Sequence, residues 1–597
     1  MQLRPIDWAI ILAAFALYLL IGFIAGRSAG KNYESYFLSG RTMPWWLLGT
    51  SMVATTFAAD TPNLVTGIVR KNGVFGNWVW WALLLTGTST VFLFAKLWRR
   101  SGMLTDIEFY ELRYSGGQAA FLRGFRAAYL GVFFNLLVMA NVTLAAIKIG
   151  GVMFGMDPLK TIAVASVVTL AYSMAGGLTS VLLTDLVQFV IAMVGAIWAA
   201  VHVVGLPEVG GLQKLLSDPR VVSKLDIIPN MATEKPEVVS AVFLVPLLVT
   251  WWSIYYPGAE PGGGGYVAQR LLAAKNEKHA LGACLFFNVM HYALRPWPWI
   301  LVALASLVVF PDLATLRAKF PHMDAKIVQD DLAYPAMMTF LPPGLMGIMV
   351  ASLIAAYMST MSTQVNYGSS IIVNDIYRRF INPKATDGQQ VWLGRICTVV
   401  LMLASCGLAL QMQDALSNFN LMMEVGAGTG MVLILRWFWW RINAQAEIVA
   451  MAVSFGMALF WRFGTTGPVS DSQRMVTGVV VTTVASIVTA FLTTSTEESR
   501  LRDFYQRVQP GGAGWKKVLD DAEQERVQMQ DLQWGRRSDI LPGVACTILA
   551  SIGIWALIFA GGWTLYGRLG QAAAAAVVAV VCAALLPGQM AKLRIRD

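Results

Sequence analysis

The stretch GTSMVATTFAADTPN at residues 49–63 decides the fold, because it joins an apolar helical run to residues that interrupt a helix. The apolar run at 45–69 is long enough to cross the roughly 30 Å hydrocarbon core of a bilayer. Its centre contains AADTPN at 58–63, with three polar residues and a proline. Irregular backbone at membrane depth persists only where protein or a water-filled cavity satisfies it. The stretch therefore predicts a broken membrane helix beside a binding site, with a simple kink as the alternative.

A second span is interrupted in the same way, by YPGAEPGGGG at 256–265. The alternative for this segment is a loop at the membrane edge. The two interrupted spans lie five spans apart, and each opens a set of five, spans 2 to 6 and 7 to 11. An odd number of spans per set inverts the second set relative to the first. The pattern predicts a five-plus-five inverted repeat whose first helices are both broken.

The composition is that of a membrane protein. Of the 597 residues, 56% are hydrophobic and 13% are charged, against about 25% charged residues in an average soluble domain. The net charge of +10 comes from short Lys and Arg clusters between apolar runs, which argues against a nucleic-acid partner. We therefore expect an all-α integral membrane protein in contact with the lipid bilayer.

About fifteen apolar segments have the length of a transmembrane helix. The first, from Asp7 to Gly26, is too long for the apolar core of a usual signal peptide and is expected to stay in the protein. The others lie at 45–69, 78–97, 125–155, 158–174, 177–204, 239–256, 280–310, 344–374, 391–410, 415–438, 443–463, 475–495, 540–563 and 569–588.

The distribution of Lys and Arg predicts the orientation in the membrane, since short cytoplasmic loops carry an excess of these residues. With the N-terminus outside, the inner loops and the tail contain Arg27, Lys31, Arg41, Arg99, Arg100, Arg113, Arg123, Arg126, Arg270, Lys275, Lys278, Arg378, Arg379, Lys384, eight basic residues of the 496–539 loop, Lys592, Arg594 and Arg596. We expect an outer N-terminus and a cytoplasmic C-terminus, in the plasma membrane or, in a prokaryote, the inner membrane.

The spans divide the chain into four parts. Residues 1–35 form an additional N-terminal transmembrane helix, 36–238 the first inverted repeat and 239–440 the second. Residues 441–597 form accessory transmembrane helices around a cytoplasmic loop at 496–539.

The ninth span carries a stripe of hydroxyl groups. In AYMSTMSTQVN at 356–366, Ser359, Thr360, Ser362 and Thr363 lie one helical turn or less apart, on one stripe of the helix. Na⁺ is a hard cation and prefers oxygen ligands of this kind. The alternative is that these hydroxyls bond their own helix or a neighbouring helix.

Asp185 lies in TSVLLTDLVQ at 179–188, inside an apolar span. An intramembrane carboxylate is costly and is a functional hypothesis by default, with a helix cap as the alternative. Further polar residues in or near spans carry weaker signals, and a structural role suits each of them: Lys148, His291, Arg295 and Glu424.

Catalytic chemistry has no support in the sequence. No nucleophile with its base, phosphate-binding loop or metal-ligand spacing is present, and the five cysteines lie in apolar stretches without a CxxC pair, so we expect no disulfide and no metal cluster. The chain is expected to transport a solute by alternating access. The alternatives are a solute sensor or a channel built on the same fold.

Four segments resemble the sodium/solute symporter family, which includes sodium-coupled sugar, proline, sialic acid and iodide carriers. YFLSGRTMPWW at 36–46, with residues 49–57, is similar to the entry into that family's first core helix. The segments YSMAGGLTSVLLTDLVQ at 172–188 and 356–379 are similar to its fifth and eighth core helices, and YVAQRLLAAK at 266–275 is similar to the stretch after its sixth. The resemblance spans roughly 36 to 440, and it implies the LeuT-type fold and Na⁺-coupled symport.

The resemblance also implies two sodium sites. The first would use the main-chain oxygens of Ala54, Phe57 and Ala356 with the hydroxyls of Ser359 and Thr360. The second, found in some members only, would use Asp185, Ser362 and Thr363. All these oxygen-bearing residue types are present, so two Na⁺ per cycle are expected.

The same mapping implies a substrate cavity lined by Asp60, Thr61, Asn63, Trp80, Glu260, Tyr266 and Met423. Three positions depart from the sugar-carrying branch: Val79, Met423 and the glycine run at 262–265. The lining leaves a sugar, an amino acid, a carboxylate and a nucleoside open as the small organic solute.

Overall fold

The computed structural model describes residues 3–29, 33–252, 260–464, 469–525 and 538–596. Helix makes up 80% of the structure, and no strand forms within these ranges. The predicted all-α class is therefore confirmed.

The described residues up to 204 contain eleven α-helices. Where a π-helical turn joins two α-helical segments, each segment has its own number. These helices are α1 (Pro5–Ala29), α2 (Tyr33–Leu38), α3 (Trp45–Thr56), α4 (Asp60–Asn72), α5 (Trp78–Trp81), α6 (Leu84–Ser89), α7 (Ala95–Ser101), α8 (Phe109–Arg113), α9 (Gly116–Ala128), α10 (Asn135–Phe154) and α11 (Pro158–Val204).

The second half forms α12 (Leu212–Ser217), α13 (Pro219–Val222), α14 (Pro236–Val239), α15 (Gly265–Ala273), α16 (Glu277–Val289), α17 (Pro296–Val309), α18 (Leu313–Lys319), α19 (Ala333–Met338), α20 (Leu345–Ile371), α21 (Asp387–Ala409), α22 (Ala415–Ala427), α23 (Gly430–Phe438), α24 (Ala444–Leu459), α25 (Asp471–Leu492), α26 (Glu498–Val508), α27 (Lys516–Gln524), α28 (Ile540–Leu565) and α29 (Leu569–Met590). π-Helical turns extend several of these helices at Thr90–Phe94, Tyr129–Phe134, Ser240–Leu244, Pro246–Thr250, Met290–Leu294, Ile372–Ile381 and Phe460–Gly464.

Ten helical stretches of the described chain are long and apolar enough to cross a membrane. Three more expected spans coincide with shorter apolar helices at Pro158–Val167, Pro236–Thr250 and Ala444–Leu459. The remaining two are interrupted, as α3 with α4 and α22 with α23. Because length and composition identify only ten, the total of about fifteen stays a prediction.

The first predicted break is present. Helix α3 ends at Thr56, the chain is non-helical from 57 to 59, and α4 begins at Asp60. The second predicted break, at 256–265, lies partly outside the described residues. Its described borders are the π-helical turn that ends at Thr250 and the start of α15.

Asp7 fixes α1 against the start of α20. Its Oδ1 accepts hydrogen bonds from the backbone N–H groups of Gly344 and Gly347, at 2.7 and 2.8 Å. Helix α20 has no capping side chain of its own, so a carboxylate from α1 serves its positive N-terminal end. A Cβ atom at Gly347 would lie 2.7 Å from Asp7 Cα, so this close approach requires glycine.

The sequence places two spans within α11, and one residue divides them. Gly177 has φ 56° and ψ −163° inside this 47-residue helix. A Cβ atom there would lie 2.6 Å from the carbonyl oxygen of Tyr36. Only glycine tolerates both this positive φ and this close contact. Asp185 lies two turns beyond this break, where α11 packs against α3 and α20.

Candidate functional site

Several protein groups donate hydrogen bonds at the C-terminal end of α3. The Phe57 N–H donates to the carbonyl oxygens of Val53 and Ala54, at 2.8 and 3.0 Å. Arg295 Nη1 donates to the Val53 carbonyl and to Thr56 Oγ1, both at 2.9 Å. Past the last helical bonds, the carbonyl oxygen of Thr56 accepts a hydrogen bond from Thr61 Oγ1 at 3.1 Å, so a side chain satisfies backbone that the break removes from the helical ladder. The carbonyl end of a helix is also its negative end, which favours a cation there.

Helix α20 crosses α3 next to the break. Thr360 Oγ1 donates to the Thr55 carbonyl oxygen at 2.8 Å, and Ser359 Oγ donates to Asp185 Oδ1 at 2.6 Å. All three site side chains are buried. The structure thus brings Ser359 and Thr360 of the predicted first sodium site to the end of α3 that carries Ala54 and Phe57. Ala356 lies one turn earlier on the same helix.

Asp185 has a second partner that the sequence analysis missed. Ser51 Oγ donates to Asp185 Oδ2 at 2.5 Å, so the carboxylate connects α3, α11 and α20. Ser51 precedes Ala54 by three residues and therefore shares its helix face. This spacing is the signal that could have identified it.

The two other residues of the predicted second sodium site differ in their contacts. Ser362 Oγ donates to the Ser359 carbonyl of its own helix at 3.0 Å. Thr363 Oγ1 lies 3.2 Å from Thr55 Oγ1 and accepts a hydrogen bond from Arg270 Nη2 at 2.9 Å. Thr363 is therefore part of the network around Asp185, whereas Ser362 bonds its own backbone.

Arg270 corrects one assumption of the sequence analysis, which counted it as a basic residue of a cytoplasmic loop. It is fully buried in α15 and contacts Ser51 as well as Thr363. Two more arginines that were expected in cytoplasmic loops are also buried, Arg113 and Arg126. The sequence misled here because these residues border apolar runs, where hydropathy alone does not separate a loop from a buried helix end.

The chemistry of these groups fits Na⁺. Carbonyl, hydroxyl and carboxylate oxygens are the ligands that hard cations prefer. The end of α3 offers carbonyls, α20 offers hydroxyls and α11 offers the carboxylate. Ser359 belongs to the predicted first sodium site and bonds Asp185 of the predicted second one. The residues of the two predicted sites are therefore adjacent.

Two of the predicted substrate residues, Thr61 and Trp80, line one small cavity of about 10 Å³. Trp80 stacks on Tyr292 with ring centroids 5.7 Å apart, and its Nε1 donates to Asn77 Oδ1 at 2.9 Å. A volume of this size holds about one water molecule. A solute can enter only after the surrounding helices separate. The other lining residues are Leu64, Val65, Leu83, His291, Tyr292 and Phe419.

The remaining predicted substrate residues are all buried. Asp60 Oδ2 accepts a hydrogen bond from Asn141 Nδ2. Asn63 follows on the first turn of α4, and its side-chain nitrogen and oxygen have no hydrogen-bond partner among the described residues. The last two, Tyr266 and Met423, lie in α15 and α22.

Glu260 has strong partners within the protein. It forms ion pairs with Arg126 and with Arg436, the latter at 3.6 Å between Nη2 and Oε2. Arg436 also pairs with Glu447 at 3.4 Å. Glu260 lines a second cavity of about 10 Å³ together with Gly263. A solute that used the Glu260 carboxylate would have to compete with two arginines.

A second buried ion-pair cluster links α4, α10 and the turn before α19. Lys148 Nζ donates to both carboxylate oxygens of Asp331 at 2.7 Å, and Arg70 Nε donates to Asp330 Oδ1 at 2.9 Å. The Ala415 N–H also contacts Asp331, at 3.3 Å. Lys148, a weak candidate in the sequence, thus pairs inside the protein and holds a connecting segment against the broken helix.

Replacing Lys148 with methionine is expected to lower the free energy of unfolding by about 3–5 kcal/mol, because it leaves the Asp331 carboxylate buried without its cation. Denaturant or thermal unfolding in detergent micelles measures the change. Adding Asp331→Leu should recover part of the loss. Lys160→Met is the matched control, since the Lys160–Asp157 pair is exposed and should contribute about 0–1 kcal/mol. Equal losses at both lysines would contradict the prediction.

An all-helical bundle with a broken helix beside buried hydroxyl and carboxylate oxygens of two other helices is typical of a secondary transporter of the LeuT fold. The family model described as the sodium:solute symporter family matches residues 36–454. The chain belongs to that family. It is a Na⁺-coupled symporter of a small organic solute, embedded in the lipid bilayer, and not an enzyme.

Characterised relatives share about a quarter of their residues with this chain. It is 26% identical over 476 residues to a sodium/glucose cotransporter of Vibrio parahaemolyticus, covering 75% of this chain and 84% of the relative. It is also 26% identical over 486 residues to sodium/myo-inositol cotransporter 2 of Mus musculus, covering 77% and 70%. A substrate-bound, outward-open Na⁺-coupled sialic acid symporter has the same fold, with a TM-score of 0.67, 19% identity, and coverage of 83% of this chain and 100% of that one.

Proposed function

We propose that the protein carries one small organic solute together with two Na⁺ ions by alternating access. The observation that supports two ions is the hydrogen bond from Ser359 Oγ to Asp185 Oδ1, which joins the two predicted ligand sets. Na⁺ at the first site would be held by Ala54, Phe57, Ala356, Ser359 and Thr360. Na⁺ at the second site would be held by Asp185, Ser362 and Thr363.

The closure around Thr61 and Trp80 supports alternating access. Their cavity of about 10 Å³ is too small to hold a solute, whereas a channel needs a continuous pore. The ion-pair clusters at Asp331 and Glu260 would open in turn. Each inward Na⁺ contributes about 2.3 kcal/mol per 100 mV of membrane potential, so two ions can drive steep accumulation. Saturable, uphill uptake would distinguish a symporter from a channel or a sensor.

For the solute, we propose a neutral molecule with hydrogen-bonding groups and an apolar or aromatic face. The eight described residues around the Thr61–Trp80 cavity include aromatic rings and hydroxyls but no Lys or Arg, and a carboxylate is usually bound by such a cation. The relatives that are named for glucose and myo-inositol agree with a polyol. Asp60, Asn63, Glu260, Tyr266 and Met423 would complete the lining. A nucleoside that stacks on Trp80 stays the second candidate.

A thermal-shift screen tests the proposal. The purified protein is melted with sugars, cyclitols, nucleosides, amino acids and carboxylates, each in Na⁺ and in K⁺ or choline. A transported solute should raise the melting temperature only when Na⁺ is present, because binding at 100 times the dissociation constant stabilises by about 2.7 kcal/mol. Equal stabilisation in K⁺ or choline would reject Na⁺ coupling. Stabilisation by carboxylates alone would reject the neutral solute.

The proposed topology places the N-terminus outside, with the divisions at 35, 238 and 440 as domain boundaries. All five native cysteines are buried, so single introduced cysteines report the sidedness. Gly117→Cys and Gln506→Cys, at exposed positions, should react with an impermeant maleimide only from the cytoplasmic side. Ser223→Cys, in an exposed stretch of the 205–238 loop, should react only from outside. The reverse pattern would overturn the orientation.

A further inference from the structure

Arg270 is a buried cation at the proposed second sodium site. Its side chain is fully buried, and its Nη2 donates to Thr363 Oγ1 at 2.9 Å and to Ser51 Oγ at 3.2 Å. Its Nη1 donates to Gln269 Oε1 at 2.9 Å. The guanidinium therefore spans the gap between α15, α3 and α20.

The hydroxyl of Ser51 links Arg270 to Asp185. Ser51 Oγ accepts from the guanidinium and donates to Asp185 Oδ2 at 2.5 Å. The positive and negative groups are thus separated by one hydroxyl group, inside a network in which every member is buried. Burial of a charge is tolerable when it is paired and hydrogen-bonded, so each of these two groups makes the burial of the other tolerable.

Thr363 Oγ1 has two possible cationic partners. It is a ligand in the proposed second sodium site, yet it already accepts a short hydrogen bond from Arg270. Two unit positive charges about 4 Å apart repel each other appreciably even at the effective dielectric of a protein. Na⁺ at Asp185 and the guanidinium at Thr363 therefore disfavour each other.

We propose that Arg270 is an internal cation that occupies the second sodium site when Na⁺ is absent and that Na⁺ displaces from Ser51 and Thr363. This inference rests on the two-sodium proposal above. The guanidinium neutralises Asp185 through Ser51 in the empty carrier, and Na⁺ takes over this role when it binds.

Displacement of Arg270 would affect the proposed solute cavity through α15, the helix that carries Tyr266. The Tyr266 ring lies 5.8 Å from the Arg270 guanidinium, and Gln269 Nε2 donates to Asn366 Oδ1 at 3.0 Å. Releasing Arg270 removes the hydrogen bonds that join α15 to Ser51 of α3 and to Thr363 of α20. Because Na⁺ and Arg270 compete for the same oxygens, Na⁺ binding shifts the equilibrium towards the conformation in which α15 is released. Na⁺ occupancy thereby controls the helix that carries Tyr266.

The test measures Na⁺ binding without solute, by Na⁺-dependent thermal stabilisation of Arg270→Gln, Arg270→Lys and the parent protein. Arg270→Gln removes the competing charge, so the Na⁺ concentration for half-maximal stabilisation should fall by about tenfold or more. Arg270→Lys keeps the charge and should stay close to the parent. In Arg270→Gln/Asp185→Asn, the gain should disappear. Arg113→Gln, at a buried arginine bonded to the carbonyls of Arg436 and Trp439, is the matched control and should leave the Na⁺ requirement unchanged.

A second measurement uses the unmodified protein, so that the inference can be tested even if Arg270→Gln does not fold. Amide hydrogen exchange of residues 265–273 should increase on adding Na⁺ alone, because α15 loses its tie to α3 and α20. A decrease in exchange, or an unchanged or raised Na⁺ requirement in Arg270→Gln, would overturn the inference. If Na⁺ fails to stabilise even the parent protein, the proposed function itself fails.

Discussion

Replacing Ser359 and Thr360 together by alanine is expected to reduce Na⁺-driven uptake to background while the protein still inserts in the membrane. Ser359 Oγ contacts Asp185, and Thr360 Oγ1 contacts the Thr55 carbonyl, so the double variant removes both hydroxyl groups of the proposed first sodium site. The carbonyls of Ala54 and Phe57 then have no hydroxyl partners for Na⁺. Uptake into proteoliposomes under an inward Na⁺ gradient measures the effect.

A matched control for this variant lies farther along the same helix. Ser369 and Ser370 are buried hydroxyls of α20 that donate to the carbonyls of Asn366 and Tyr367, at 3.1 and 2.7 Å. Ser369→Ala with Ser370→Ala removes two buried hydroxyl groups without touching the proposed sodium sites, so uptake should persist. Normal accumulation by the Ser359 and Thr360 variant, or equal accumulation in Na⁺-free buffer, would contradict the assignment of the first site.

Replacing Asp185 with asparagine is expected to lower the Hill coefficient for Na⁺ towards one and to raise the Na⁺ needed for half-maximal uptake by roughly tenfold or more, equivalent to about 1.4 kcal/mol or more. An amide offers a dipole where the carboxylate offers a full charge to Na⁺. Solute affinity at saturating Na⁺ should change little. Uptake measured against Na⁺ concentration gives both parameters.

Asp157→Asn is the control for Asp185→Asn, because it makes the same substitution on the same helix. Asp157 caps the start of α11 through the Lys160 N–H at 2.9 Å, and asparagine caps a helix about as well as aspartate. Ser362→Ala and Thr363→Ala should repeat the Asp185→Asn phenotype, and their combination with it should be non-additive, since all three serve one ion. An unchanged Hill coefficient in Asp185→Asn would make this a one-sodium carrier with a structural Asp185.

The amino-acid sequence alone identified the membrane class and the first broken helix, and it predicted the candidate site residues. Hydropathy over about 20 residues is a local property, because the bilayer acts on each span separately. The break at 57–59 follows from residues next to one another, and the stripe containing Ser359 and Thr360 follows from the period of one helix. Asp185 was identified because a carboxylate in an apolar span is rare.

The partners of those residues required the tertiary structure. Ser51 meets Asp185 across 134 positions, and Arg270 meets Ser51 across 219. Such contacts depend on how three helices pack, which no local pattern encodes. Arg270 and Glu260 show the consequence most clearly. The sequence treats Arg270 as a loop charge and Glu260 as a solute ligand, whereas packing places the first beside the proposed second sodium site and the second between two arginines. Local chemistry determined which groups the site contains, and long-range packing decided which of them face one another.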